Sequence, residues 1–201
     1  KHVVQLAKNV PVERIRYTTA ADNIISLHLA ESVGMKIKFS LAFHWQKNPA
    51  EISWRSSHRP LVEVSSGDIH DDLVTDNFLP YNIIIHDWKA IEATLDGLDI
   101  VNSIARFWIQ REAGKILSFS LGFPRVGEDG QEWNFAIYAA DISGFLDHIS
   151  HHIHLASESG CTSFFGTFDP RYVETFYLLD WATKENHEDE EWALVLLERV
   201  F

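Results

Sequence analysis

Alternating apolar and polar positions dominate the chain. Phe39-Ser40-Leu41-Ala42-Phe43 and Phe119-Ser120-Leu121-Gly122-Phe123 share the pattern FSLxF, which places three large apolar side chains on one face of a strand. Each follows a glycine five positions upstream, Gly34 and Gly114, with Lys36 and Lys115 soon after it. Runs of mixed character precede each glycine (23–31 and 102–112), and Trp-bearing segments follow each FSLxF (51–57 with Trp54, 132–139 with Trp133). Both stretches therefore read as strand, tight turn, strand, longer turn, strand. The expectation is two similar three-stranded meanders, a pseudo-repeat covering about 23–57 and 102–139.

Helical periodicity is rarer. Ile142, Phe145, Leu146, Ile149, Ile153 and Ala156 form one stripe at 3.6-residue spacing and predict a core-facing helix over 142–157. Trp88, Ile91, Leu95 and Leu98 predict a shorter helix over 88–98. Asp169-Pro170 is a cap followed by a first-turn proline, and opens a third. Residues 81–85 and 192–200 read as strands. The fold class expected is α+β: a mostly antiparallel β-sheet with a few amphipathic helices, in a single domain over 1–201.

Charge narrows the choice of partner. The 201 residues carry 17 Lys and Arg against 29 Asp and Glu, a formal net charge of −12. Most of the imbalance follows residue 60, and two stretches hold acid without Lys or Arg: Asp68, Asp71, Asp72 and Asp76, then Glu185, Glu188, Asp189, Glu190 and Glu191. Nucleic acid and anionic membranes repel such surfaces. A basic protein is attracted and steered instead. No apolar run reaches the ~20 residues that cross a bilayer, and the lone Cys161 suits a reducing compartment, so a cytoplasmic location is expected.

Catalytic motifs are scarce. His148-Ile149-Ser150-His151-His152-Ile153-His154 is the sharpest feature. On a helix, His148 and His152 are four apart and both reach one metal ion, as in HExxH, yet the general-base Glu is missing. Asp147, His151 and His154 fall on the expected solvent face, and replacing His148 and His152 is expected to leave stability nearly unchanged. His86-Asp87 follows a strand, where the HD-type hydrolases use a helix. Asp76 with Asp87-Trp88-Lys89 has nuclease-like spacing inside the most acidic part of the chain. There is no Gly-x-Ser-x-Gly elbow, P-loop or Gly-x-Gly-x-x-Gly, so no cofactor is expected. Of seven tryptophans, Trp45 and Trp192 border polar stretches and are the candidates for exposed anchors.

These features together predict a non-enzymatic acidic protein that docks a basic partner, most concretely an immunity protein or antitoxin neutralising a nuclease-type toxin. Its partner-binding residues would be the nine acids above with Trp192. The alternative is a metal-dependent hydrolase on His148 and His152.

Overall fold

A computed structural model describes residues 7, 10–52, 59–127, 130–178 and 193–201, except the side chains of 45–47 and 176–178. Among them run strands β1 (Arg14–Ala20), β2 (Lys36–Lys47), β3 (Val62–Val64), β4 (Ile83–His86), β5 (Lys89–Glu92), β6 (Arg106–Glu112), β7 (Lys115–Gly127), β8 (Gly130–Ala139), β9 (Ser163–Phe168) and β10 (Ala193–Val200). The α-helices are α1 (Ile24–Ser32), α2 (Ser66–Thr75), α3 (Leu95–Asn102), α4 (Ile142–Glu158) and α5 (Val173–Leu178). Eight strands form one sheet in the order β1-β10-β2-β9-β8-β7-β6-β3, and β4 and β5 make a separate hairpin. Every neighbouring pair in the large sheet is antiparallel except β8 and β9, which run parallel from Glu132↔Ser163 to Ile137↔Phe168.

The fold is thus one mixed sheet, and the expected pair of meanders is corrected. β6, β7 and β8 do form a meander, turning at Ala113 and Gly114, both with positive φ. The first FSLxF segment lies in β2, whose neighbours β9 and β10 come from far along the chain. Residues 23–31, expected as a strand, are helical because the Asn23 side chain accepts the Ser26 N–H and caps α1. After β2, Asn48 turns left-handed (φ 56°) into a 3-10 turn at Pro49–Glu51, and Trp54 lies outside the described residues. The helix expected over 88–98 is also corrected. Asp87 and Trp88 both take positive φ and close the β4–β5 hairpin, and a helix starts only after Thr94 caps α3.

The helix predicted over 142–157 is α4. It buries Phe145, Ile149, Ile153 and Ala156 against Trp133, Phe135, Phe164 and Phe168 on one face of the sheet. The opposite face packs on α2, α3 and the hairpin through Ile69, Leu73, Ile84, Leu98, Phe119 and Leu121, with Ile83 and Ile85 on Leu41, Phe165 and Leu194. Among the described residues, no helix is long and apolar enough to cross a membrane.

At Gly166 of β9 the Phe135 ring of β8 lies directly over the strand, and a Cβ there would stand 2.2 Å from that ring. Gly166→Ala is expected to destabilise by about 1–3 kcal/mol, because Phe135 must leave its place. Urea unfolding checks this, and an unchanged midpoint would contradict the packing.

Candidate functional site

Parallel neighbours need a crossover, and here it is α4. In open sheets of this kind, ligands settle outside the carboxyl ends of parallel strands, where a helix N-terminus also points its N–H groups. At that corner β8 stays paired with β7 through Tyr138 and Ala139, while β9 ends at Phe168, so the two parallel strands part. Tyr172 fills the gap. Its hydroxyl donates to the Ala139 carbonyl at 3.0 Å, and its ring stacks on Phe145 with centroids 4.6 Å apart. Burial, with Asp169 and Asp141 nearby, raises the phenol's pKa and keeps the hydroxyl protonated. Arg171 donates to the same carbonyl at 3.0 Å and pairs with Asp169 at 3.1 Å.

The helix end itself is mixed in charge. Asp141 caps α4 by accepting the Gly144 N–H at 2.7 Å. Arg59 Nη1 stands 3.7 Å from the other Asp141 oxygen, beyond hydrogen-bond reach, and is buried without a hydrogen-bond partner. Gly144 lets the first turn approach β7, since a Cβ there would meet Ser118 at 3.1 Å.

Behind this corner a polar chain runs between α4 and the sheet. The Asp147 carboxylate accepts from Gln110 Nε2 at 2.8 Å and from the Arg59 backbone N–H at 3.3 Å. Gln110 Nε2 also donates to the Arg59 carbonyl, so both backbone groups of Arg59 are held. Because the Gln110 amide nitrogen faces Asp147, its oxygen accepts the Ser118 hydroxyl at 2.9 Å. The Ser118 oxygen therefore accepts from His148 Nε2–H at 2.9 Å, and His148 Nδ1 accepts the Ser120 hydroxyl at 2.6 Å. One tautomer of His148 satisfies the whole chain. His152 accepts Trp133 Nε1–H at 3.2 Å and stacks on Phe135 at 4.8 Å, over Gly122, where a Cβ would meet its ring at 2.8 Å.

Placement of the sequence-derived residues differs from expectation. Asp147 faces inward and is buried, with His148 and His152. Both His148 nitrogens are committed to serines, and among the described residues no group of three or more His, Cys, Asp or Glu is arranged to hold a metal ion. The acids of the first stretch all fall on α2 or its ends. Asp68 closes a capping box with Ser65, Asp71 meets His70 at 2.8 Å, Asp72 meets Arg111 at 2.5 Å, and Asp76 is the C-cap. Glu185, Glu188, Asp189, Glu190, Glu191 and Trp192 lie outside the described residues, as does the Trp45 side chain. Sequence reasoning missed Arg59, Arg171, Tyr172 and the serines, which belong to no short motif.

Burial also reverses the expectation that His148 is dispensable. It lowers the His148 pKa to about 3, so the folded chain holds it neutral where the unfolded chain, near 6.5, takes up a proton. Its contribution is intact above pH 6.5 and is lost progressively as the pH falls below that toward 3, because the unfolded chain then binds a proton that the folded chain does not. His151 and His86, each lowered to about 4 by burial, act in the same direction. Thermal melts between pH 7 and 4.5 are expected to show a falling melting temperature, and His148→Gln, which still meets both serines, a shallower fall. Parallel profiles for the two proteins would contradict the assignment.

No protein-family model matches the sequence, and no curated protein does either. Solved structures do match. A GCN5-related N-acetyltransferase from Anabaena variabilis aligns with a TM-score of 0.52 at 12% identity, over 99% of this chain and 48% of that one. The Saccharomyces cerevisiae N-myristoyltransferase, solved with bound myristoyl-CoA, gives 0.54 at 8% identity, over 98% and 53%. A conserved protein from Staphylococcus epidermidis gives 0.52 at 11%, over 98% and 76%. The chain spans about half the length of the first two. These matches overturn the reading as an immunity protein or toxin inhibitor, and the metal-dependent hydrolase with it. By its mixed sheet and single parallel crossover, the chain has the fold of the GCN5-related N-acetyltransferases.

Proposed function

We propose that the chain is an acyltransferase, moving an acyl group from a phosphate-bearing thioester such as an acyl-coenzyme A to an amine. Proteins named as N-acetyltransferase and N-myristoyltransferase share its fold, the latter with myristoyl-CoA bound. The observation that supports the reading in this chain is Arg59 at the amino end of α4, whose Nη1 makes no hydrogen bond and pairs loosely with Asp141 at 3.7 Å. A half-exposed guanidinium with an N–H to spare beside a 17-residue helix's N-terminus fits a phosphate oxygen. When bound, the thioester supplies an acyl carbon activated toward the amine.

The chain's own groups have separable roles. Arg59 and Arg171 hold phosphate, and Asp147 with Gln110 positions Arg59 through its backbone. Tyr172 excludes water from the parting of β8 and β9. Asp141 and Asp169 oppose an anion and set an upper limit on its affinity.

Calorimetric titration of the chain with acetyl-CoA and myristoyl-CoA tests the reading. Binding of at least one is expected, weakened about tenfold in Arg59→Ala, the size of one lost charge-assisted contact, and strengthened in Asp141→Asn. Absence of heat with both thioesters would overturn it.

A further inference from the structure

The face of β8 and β9 turned away from α4 carries a second set of polar side chains, under the β4–β5 hairpin. Asn134 is fully buried and stands between its register partners Phe123 and Phe165. Thr167, 1% exposed, is its diagonal neighbour across the parallel step, opposite Ala136 and Phe43. His86, 1% exposed at the end of β4, meets the Phe123 ring edge-on at 5.7 Å. Asn134 Nδ2 and Oδ1, Thr167 Oγ1 and both His86 nitrogens have no hydrogen-bond partner. Buried polar atoms in native folds are nearly always paired, so five orphans on neighbouring register positions of β8 and β9 and on the hairpin that covers them need a cause. Packing alone is served better by leucine and valine.

Aromatic rings border this set. Phe43, Trp88 and Phe165 lie 5.4–6.0 Å from one another in centroid distance. Trp88, 39% exposed, is held at φ 65° after Asp87 at φ 44°, a left-handed pair without glycine that costs backbone energy. The Thr18 hydroxyl on the Trp88 carbonyl and the Arg125–Asp87 ion pair secure that turn. The strain is kept, and its result is an indole stacked on Phe165, the register partner of Asn134.

We propose that the hairpin and the parallel strands form a binding site for a small, uncharged, planar ligand bearing a carboxamide or lactam edge, read by Asn134, Thr167 and His86. The Asn134 amide presents a donor beside an acceptor, the complement of such an edge. His86 adds one donor and one acceptor in its neutral form, which burial maintains. None of the three carries charge, so neither a carboxylate nor an ammonium group is matched. Aromatic walls supply stacking. The site stands independently of acyl transfer, because Arg59 and α4 occupy the other face of the sheet.

Saturation-transfer NMR on the whole chain with benzamide, nicotinamide and 2-pyridone is the test, with toluene and benzoate as controls. At least one amide should give saturable transfer and shift the Asn134 side-chain resonances, while the controls do neither. Asn134→Leu and Thr167→Val, near-isosteric, should each weaken binding at least tenfold. Should Asn134→Leu fail to fold, Thr167→Val and the Asn134 resonances decide. Silence from all three amides, equal transfer to toluene, or undiminished binding in the folded variants would overturn the site, whatever the thioester titration shows.

Discussion

Two strands lie parallel side by side only when the chain between them crosses back over the sheet. The pairing of β8 with β9 therefore dictates that α4 lies on one face with its amino end where the two strands part. A helix held that close needs room. Gly144 gives it toward Ser118, while Gly122 and Gly166 admit the rings of His152 and Phe135. The same closeness removes water from the polar positions of α4, so Asp147 and His148 must find partners inside the protein. The polar chain is a consequence of the crossover, and Arg59 is where that chain reaches the surface.

The two faces of the sheet solve the problem of buried polarity differently. Toward α4, each donor from Gln110 through Ser118 and His148 to Ser120 meets an acceptor, which favours one arrangement and makes that face rigid. Toward the hairpin, Tyr138 is matched, its hydroxyl accepting the Ile85 N–H at 2.7 Å, while Asn134, Thr167 and His86 are not. Unpaired atoms remain on the α4 side too, at Arg59 Nη1, His151 Nε2 and His152 Nε2, but they lie outside the chain that runs from Asp147 to Ser120.

Local signals were legible in the sequence and long-range ones were not. The α4 stripe could be read because six apolar residues repeat at one spacing, and both FSLxF segments are strands because alternation is a local property. Residues 23–31 misled because Ile25, Leu27 and Leu29 alternate like a strand, and only the Asn23 cap decides for helix. Around 88–98, Trp88 and Ile91 match a helical stripe by spacing alone, against a turn lacking the usual Asn-Gly. Asp72 of α2 looked uncompensated because its partner, Arg111, lies on β6. Arg59 and Tyr172 could not be singled out, because their meaning comes from where β8 and β9 part. Neighbours in sequence say nothing of that.

The position of β10 has its own consequence for how the molecule is made. It is inserted between β1 and β2, and pairs with both along most of its length. Of all the strands described, it leaves the ribosome last, yet its berth is framed by the two that leave first. Until it arrives, β1 has no strand partner and β2 shows one bare edge, a standing invitation to pair with another chain. Such late, distant closure also slows folding. A chain that lacks β10 therefore severs β1 from the rest of the sheet, which is a different loss from an end strand falling away.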